Sequence, residues 1–174
     1  ADDDLRIIAS AWTAPAWMKD IEDWYVPGSE SNNFQGTGGQ LKSGYETCYA
    51  EYLVKFIQTY KQHGVDIWGL TPVNEPNGNN GQWESMHFTA ASQNEFIKHH
   101  LGPCLCKAGL DDIKVLMFDH NRDELEQWAN VMYNDAETSK YLYGAAVHWY
   151  ESSSKVHEDA LQRVHEAYPD FEII

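Results

Sequence analysis

The sequence predicts an α/β fold with parallel strands, because strand-like and helix-like spacings of apolar residues alternate along the chain. Short apolar runs that fit buried strands are each followed by a longer segment with apolar residues every three or four positions. About four such strand–helix units fit into the 174 residues, and a fifth strand begins near the end. A chain of this length ordinarily forms one domain with a sizeable core.

The predicted elements follow one another in a regular order. Apolar runs indicate strands at 5–11, 67–73, 113–118, 144–147 and 171–174. Helical spacing indicates helices at 45–63, 89–108, 124–133, 136–141 and 155–168. Gly64 and Gly109 end the first two helices, as glycine commonly does at a helix C-terminus. Two polar loops, 19–43 and 77–87, complete the pattern.

The second predicted strand ends at Asn74-Glu75-Pro76. Pro76 cannot donate to a sheet ladder, and it favours an extended conformation at Glu75. In a barrel of alternating strands and helices, a carboxylate at this position points into the mouth of the active site. A solvated turn residue is the alternative interpretation, which the local pattern alone leaves open.

Polar and aromatic residues also stand at the ends of the other predicted strands. The first four strands end at Trp12, Asn74-Glu75, Asp119-His120-Asn121 and His148-Trp149-Tyr150. The carboxyl ends of parallel strands lie at one edge of the sheet, where ligands bind in barrels and in open sheets alike. Four convergent ends favour a functional site over a chance arrangement.

Composition and motifs exclude several classes of protein. The 12 Lys and Arg against 27 Asp and Glu give a net charge of −15, which argues against nucleic acid and anionic membrane surfaces as partners. No apolar run is long enough to cross a membrane. No G-x-G-x-x-G motif follows a strand, and Cys104-Leu105-Cys106 lacks further ligands at zinc spacing. We therefore predict neither a cofactor nor a metal ion.

The seven Trp and ten Tyr residues fit two interpretations. Aromatic faces line sugar-binding clefts, but they also fill packed cores. Composition alone does not decide between them.

Four motifs resemble glycoside hydrolase family 30, which includes glucosylceramidases (acid β-glucosidases) and endo-β-1,6-glucanases. In chain order they are Ala11-Trp-Thr-Ala-Pro-Ala-Trp-Met-Lys19, Leu70-Thr-Pro-Val-Asn-Glu-Pro76, Leu116-Met-Phe-Asp-His-Asn121 and Ala146-Val-His-Trp-Tyr150. The intervening His100-Leu-Gly-Pro103 matches as well. The likeness runs over essentially the whole chain.

The resemblance implies a (β/α)8 TIM barrel and retaining hydrolysis of a β-glucosyl linkage. It implies that Glu75 is the general acid/base and that Asn74 contacts the sugar 2-hydroxyl. The glycone pocket would then be lined by Trp12, Asp119, His148 and Tyr150. Such an enzyme needs a second carboxylate about 5–5.5 Å from the first as its nucleophile.

The sequence departs from the family pattern at that nucleophile. The family's glutamate would fall about three residues beyond Ile174, near position 177, and Glu172 lies too early on the fifth strand to replace it. A (β/α)8 barrel takes roughly 250 residues, so we expect residues 1–174 to be the central part of a longer catalytic domain. The rest of the parent barrel is then a required partner.

Three functional hypotheses stay open. The first is a glucosylceramidase-like enzyme acting on a β-glucoside, glucosylceramide or β-glucan, with an endo-β-1,6-glucanase of the same family as its alternative. The second is that residues 1–174 by themselves form an inactive sugar-binding fragment. The third is an unrelated open-sheet binding protein with covered edges. The family resemblance leads us to expect a secreted or lysosomal location.

Overall fold

Five parallel strands form one sheet, in which their order is that of the sequence. A computed structural model describes residues 5–152 and 154–174. The strands are β1 (Ile7–Ser10), β2 (Ile67–Thr71), β3 (Lys114–Asn121), β4 (Leu142–His148) and β5 (Glu172–Ile173). Sequential parallel neighbours require a crossover at each step, and the helices provide it. The predicted α/β architecture is confirmed.

The helices are α1 (Glu46–Gln62), α2 (Ala90–Phe96), α3 (Gly102–Lys107), α4 (Leu125–Met132), α5 (Ala136–Ser139) and α6 (Glu158–Ala167). Short 3-10 turns stand at Ala16–Met18, Glu30–Asn32 and Arg122–Glu124. Most element ends lie within three residues of the predicted ones. In the part of the chain that the structure describes, no helix is long and apolar enough to span a membrane.

The predicted helix at 89–108 is wrong as one continuous α-helix. It consists of α2, a π-helical turn at Ile97–Leu101, and α3. Pro103 has no N–H and so cannot donate the bond that an α-helix would require there, which favours a wider turn just before it. Thr89 caps the start, because its hydroxyl accepts a bond from the Ser92 N–H at 3.1 Å.

Helices and sheet bury a continuous apolar core. Fully enclosed side chains include Ile57, Phe96, Leu101 and Met117. Burial of one such side chain stabilises the fold by roughly 1.5–3 kcal/mol. Tyr49 joins this core to the site, because its buried hydroxyl donates to the carbonyl of Pro72 at 2.8 Å.

Strand β5 lies unusually close to β4 at Gly144. A Cβ built on Gly144 would stand 2.1 Å from the carbonyl oxygen of Glu172, a distance that no side chain allows. The close approach fixes the pairing of Gly144 with Glu172 and of Ala145 with Ile173. The pairing of β4 with β5 continues beyond these residues, because the N–H of Val147 donates to the carbonyl of Ile174 at 2.8 Å.

The two polar loops are held together by a buried cation. Lys19 is fully buried, and its Nζ donates to the carbonyls of Trp24 at 2.6 Å and Ser85 at 2.9 Å. A backbone bond from His87 to Gly39, 2.7 Å long, adds a second link. Loops 19–43 and 77–87 therefore form one layer beside the carboxyl ends of β1 and β2.

A buried amide supports the end of β3. Gln93 of α2 is fully enclosed, and its Oε1 accepts a bond from the Phe118 N–H at 2.9 Å. Phe118 has φ +73°, a conformation that costs energy for a residue other than glycine. Without this acceptor, the buried N–H would have no hydrogen-bond partner among the described residues.

We expect Gln93→Leu to lower the free energy of unfolding by about 1–3 kcal/mol, because it leaves the Phe118 N–H buried without an acceptor. Chemical denaturation measures the change. Gln162→Leu makes the same substitution on the exposed face of α6 and serves as the matched control. Equal effects of the two substitutions would contradict the anchoring role.

Lys19 predicts a pH dependence of stability. Burial lowers the pKa of Lys19 from 10.5 to about 8. Between these two values the unfolded chain holds a proton that the folded chain has released, so the contribution of Lys19 to stability rises with pH. The free-energy difference between wild type and Lys19→Met, measured by chemical denaturation, should grow across this range.

Lys61→Met removes a lysine from the exposed surface of α1 and controls for loss of one cation. If the difference in the free energy of unfolding between wild type and Lys19→Met stays constant between pH 8 and pH 10.5, Lys19 is not the cause of the pH dependence of stability.

Candidate active site

A bulge at the end of β3 turns Asp119 towards the neighbouring strand ends. Phe118 pairs with Ala146 and His120 with Val147, so Asp119 is the extra residue between them. Its φ is +63°. A bulge of this kind re-aims a side chain, and bulges are frequent beside active sites. The apolar run ends at Phe118, but pairing resumes after the bulge and continues to Asn121, within the predicted strand end at Asp119-His120-Asn121.

The side chain of Asp119 is held by two direct neighbours, and a third residue is linked to it through one of them. The hydroxyl of Thr71, at the end of β2, donates to Asp119 Oδ2 at 2.6 Å. Ser10 Oγ, at the end of β1, lies 2.9 Å from the same hydroxyl. On the other side, His148 Nε2 lies 2.7 Å from Asp119 Oδ1. The carboxylate thus joins the ends of β1, β2, β3 and β4 through polar contacts.

His148 connects Asp119 to Glu75. Its Nδ1 lies 3.3 Å from Glu75 Oε1, while its Nε2 contacts Asp119. The side chains of Glu75 and His148 are each 17% exposed and that of Asp119 is 7% exposed. Glu75 is therefore reachable from solvent at the carboxyl ends of the strands, which we call the mouth. Asp119 lies deeper, and its side chain contacts that of Glu75 indirectly, through His148. The structure brings these three predicted residues together.

The backbone at Glu75 differs from the predicted extended conformation. Glu75 has φ +49°, in the left-handed region. Its N–H donates to the carbonyl of Asp119 at 2.9 Å, and its carbonyl accepts from Gly78 at 2.8 Å. These bonds impose a turn that the local preference before Pro76 does not predict. Backbone strain of this kind is typical of functional sites.

The two histidines at the mouth have opposite electrostatic environments. The hydrogen bond to Asp119 is the largest cause that raises the pKa of His148, and the contact with Glu75 adds to it. Burial lowers the pKa of His120. His148 thus favours its charged form more strongly than His120 does. Their rings meet edge to face, with centroids 6.4 Å apart.

The other predicted site residues surround this centre more loosely. Trp12 is half exposed, and its ring centroid lies 6.4 Å from that of Trp83. Tyr150 is exposed and meets His148 edge to face at 5.6 Å. For Asn74 the structure shows a backbone bond to the carbonyl of Ala11, 2.7 Å long. All of them lie on the segments that follow the strand ends.

Sequence reasoning did not assign roles to Thr71, Ser10 and Trp83, and it named His120 only as part of a strand end. Thr71 and Ser10 carried a usable signal, because a hydroxyl in the last position of a buried strand needs a polar partner. Trp83 lies in a loop whose course no local pattern predicts. Its contact with Trp12 depends on the link between the two loops.

The site has a cavity at its side and a group of possible metal ligands at its centre. A cavity of about 520 Å³ lies beside Trp12 and includes Trp24 and Glu84, but it does not include Glu75. At the centre, one ligand-type atom each from Glu75, His120 and His148 lies within 4.8 Å of the other two. Among the described residues this is the one such group of three, and its members could hold a metal ion.

Comparisons with known proteins identify the family. A sequence profile of the Glycosyl hydrolase family 30 TIM-barrel domain matches residues 1–174. Lysosomal acid glucosylceramidase of Mus musculus is 33% identical over 169 residues, 95% of this chain and 31% of that protein. Endo-1,6-beta-D-glucanase BGN16.3 of Trichoderma harzianum is 30% identical over 168 residues, 95% of this chain and 33% of that protein.

A solved structure shows the same arrangement of the chain. The structure titled "The endo-beta1,6-glucanase BT3312" superposes with a TM-score of 0.81 at 35% identity, over 99% of this chain and 37% of that one. The chain thus spans about a third of the length of the relatives it matches. Because the family profile covers every residue, the chain belongs to glycosyl hydrolase family 30, in its TIM-barrel domain.

Proposed function

We propose that the protein carrying this chain is a retaining β-glycosidase that hydrolyses β-glucosyl linkages, with Glu75 as its general acid/base. The observation that carries the proposal is the position of Glu75 at the mouth, 3.3 Å from a histidine that Asp119 holds in place. A general acid must reach the leaving-group oxygen and still be held in one orientation. Partial exposure and the contact with His148 meet both needs.

Each of the predicted site residues has a role in this proposal. Glu75 protonates the glycosidic oxygen, and later takes a proton from the water that releases the sugar. Asn74, next to it, contacts the sugar 2-hydroxyl, a hydrogen bond that strengthens in the transition state. The glycone pocket is lined by Trp12, Asp119, His148 and Tyr150.

The strand register agrees with the height along β5 at which we propose the nucleophile, near position 177. Gly144 pairs with Glu172, an offset of 172 − 144 = 28 residues. If the strand continued with the same offset, position 148 + 28 = 176 would lie level with His148, so the residues that follow Ile174 would reach the height of the mouth. Glu172 itself lies four residues earlier, level with Gly144. A glutamate near 177 would complete the pair of carboxylates.

On this proposal, residues 1–174 supply the acid/base without the nucleophile. The chain as such is then a sugar-binding fragment without turnover, and activity needs the rest of the barrel. Its relative named lysosomal acid glucosylceramidase supports a lysosomal or secreted location for the parent protein.

We expect Glu75→Gln to lower kcat on an unactivated β-glucoside by about 10²- to 10⁴-fold, the contribution typical of a general acid. The loss should be smaller on a nitrophenyl β-glucoside, whose leaving group needs little protonation. Steady-state kinetics of the full-length protein on both substrates measure the difference. Glu137→Gln, an isosteric change at an exposed carboxylate of α5, is the control. Unchanged turnover of the unactivated substrate by Glu75→Gln would exclude the assignment.

The proposal allows two alternative substrates, glucosylceramide and β-1,6-linked glucan. A glucosylceramidase is favoured by the 33% identity to the mouse enzyme, and an endo-β-1,6-glucanase by the 35% identity to a solved glucanase. We expect glucosylceramide in detergent micelles to be cleaved with a higher kcat/KM than β-1,6-linked glucan. The reverse order would replace the first assignment with the second, and cleavage of neither would exclude both.

A further inference from the structure

We propose that Glu75, His120 and His148 form a zinc site at the mouth, which the protein fills when no sugar is bound. The three side chains come from segments far apart in sequence, yet each offers a ligand atom within 4.8 Å of the other two. Two imidazoles and one carboxylate are a ligand set that Zn²⁺ takes in proteins, with a water in the fourth position.

The geometry of the first pair of ligands fits zinc directly. In a tetrahedral site with bonds of about 2.0–2.1 Å, the ligand atoms stand about 3.4 Å apart. His148 Nδ1 and Glu75 Oε1 are 3.3 Å apart. These two atoms therefore have the spacing of one edge of the tetrahedron, and a ligand atom of His120 lies within 4.8 Å of both side chains' ligand atoms.

The surroundings supply the second argument. A zinc-bound histidine usually donates its other ring N–H to a carboxylate, which fixes the ring and its tautomer. His148 has this partner, because its Nε2 lies 2.7 Å from Asp119 Oδ1. Asp119 is in turn held by the Thr71 hydroxyl at 2.6 Å. Nδ1 of His148 then faces Glu75, and a zinc ion bound there would displace the proton that Nδ1 carries in the charged form of the ring.

His120 gives an independent indication. Its Nδ1 is buried and has no hydrogen-bond partner among the residues that the structure describes. A buried polar atom without a partner calls for an explanation such as an ion or a water. Coordination through Nδ1 would give this atom the partner it lacks. Calcium and magnesium do not suit the site, because both prefer oxygen ligands.

Zinc binding has a consequence that depends on the proposed function. A carboxylate that coordinates Zn²⁺ cannot donate a proton to a leaving group. Zinc would therefore act as an inhibitor competitive with the sugar. The binding itself does not depend on that function and can be measured without substrate.

Isothermal titration of the full-length protein with ZnCl₂ tests the site. We expect one saturable site, and a loss of affinity of at least about tenfold in His120→Ala, since changes even to residues around a metal cost that much. His99→Ala is the matched control, because His99 is exposed on the surface and contacts Glu95 at 3.2 Å. Its affinity should equal that of the wild type, and MgCl₂ should give no saturable heat.

Two further measurements keep the outcome decisive. If His120→Ala fails to fold by circular dichroism, His120→Asn and Glu75→Gln replace it, and each should weaken zinc binding. Substitution with Co²⁺ should give the visible absorption of a tetrahedral site in the wild type and not in Glu75→Gln. Absence of saturable zinc binding in the wild type, or equal affinity in His99→Ala and all mouth variants, would overturn the proposal. Either result leaves the test of Glu75 by kinetics unaffected.

Discussion

The contact between Asp119 and His148 is the interaction on which the rest of the mouth depends. It joins the ends of two adjacent strands at 2.7 Å and lies largely out of water, where a charge-assisted hydrogen bond is strong. It fixes one nitrogen of the imidazole, so that the other nitrogen faces Glu75. The position of the Glu75 carboxylate therefore depends on Asp119, which it does not touch through its side chain, because His148 contacts both.

That contact exists because the backbone of β3 gives up regular pairing for one residue. The bulge places Asp119 in the left-handed region, beside Phe118 in the same unusual conformation. Gln93, buried behind the strand, accepts the Phe118 N–H and so offsets part of the cost. The core of the molecule and the polar mouth are thus coupled through one amide, and packing around α2 affects where Asp119 points.

The alternation of strands and helices could be predicted from the spacing of apolar residues. Strands buried on both faces are nearly continuous apolar runs, whereas the helices are amphipathic. The convergence of Glu75, Asp119 and His148 followed from the shared edge of parallel strands. The exact orientation of these side chains could not be predicted from the sequence, since φ +49° at Glu75 and φ +63° at Asp119 arise from hydrogen bonds between distant segments. The π-helical turn before Pro103 and the contact of Trp83 with Trp12 are tertiary effects of the same kind.

Gly144 connects backbone packing to the stereochemistry of a reaction. Its missing side chain lets β5 approach β4 so closely that a Cβ would meet the Glu172 carbonyl at 2.1 Å. Any larger residue would push the fifth strand outwards, and on the proposed function it would widen the distance between Glu75 and a nucleophile that follows β5. In glycosidases, a separation of about 5–5.5 Å retains the anomeric configuration, whereas about 6.5–9.5 Å admits a water and inverts it. If the proposed glycosidase function is correct, the missing side chain of Gly144 therefore contributes to the stereochemistry of the reaction.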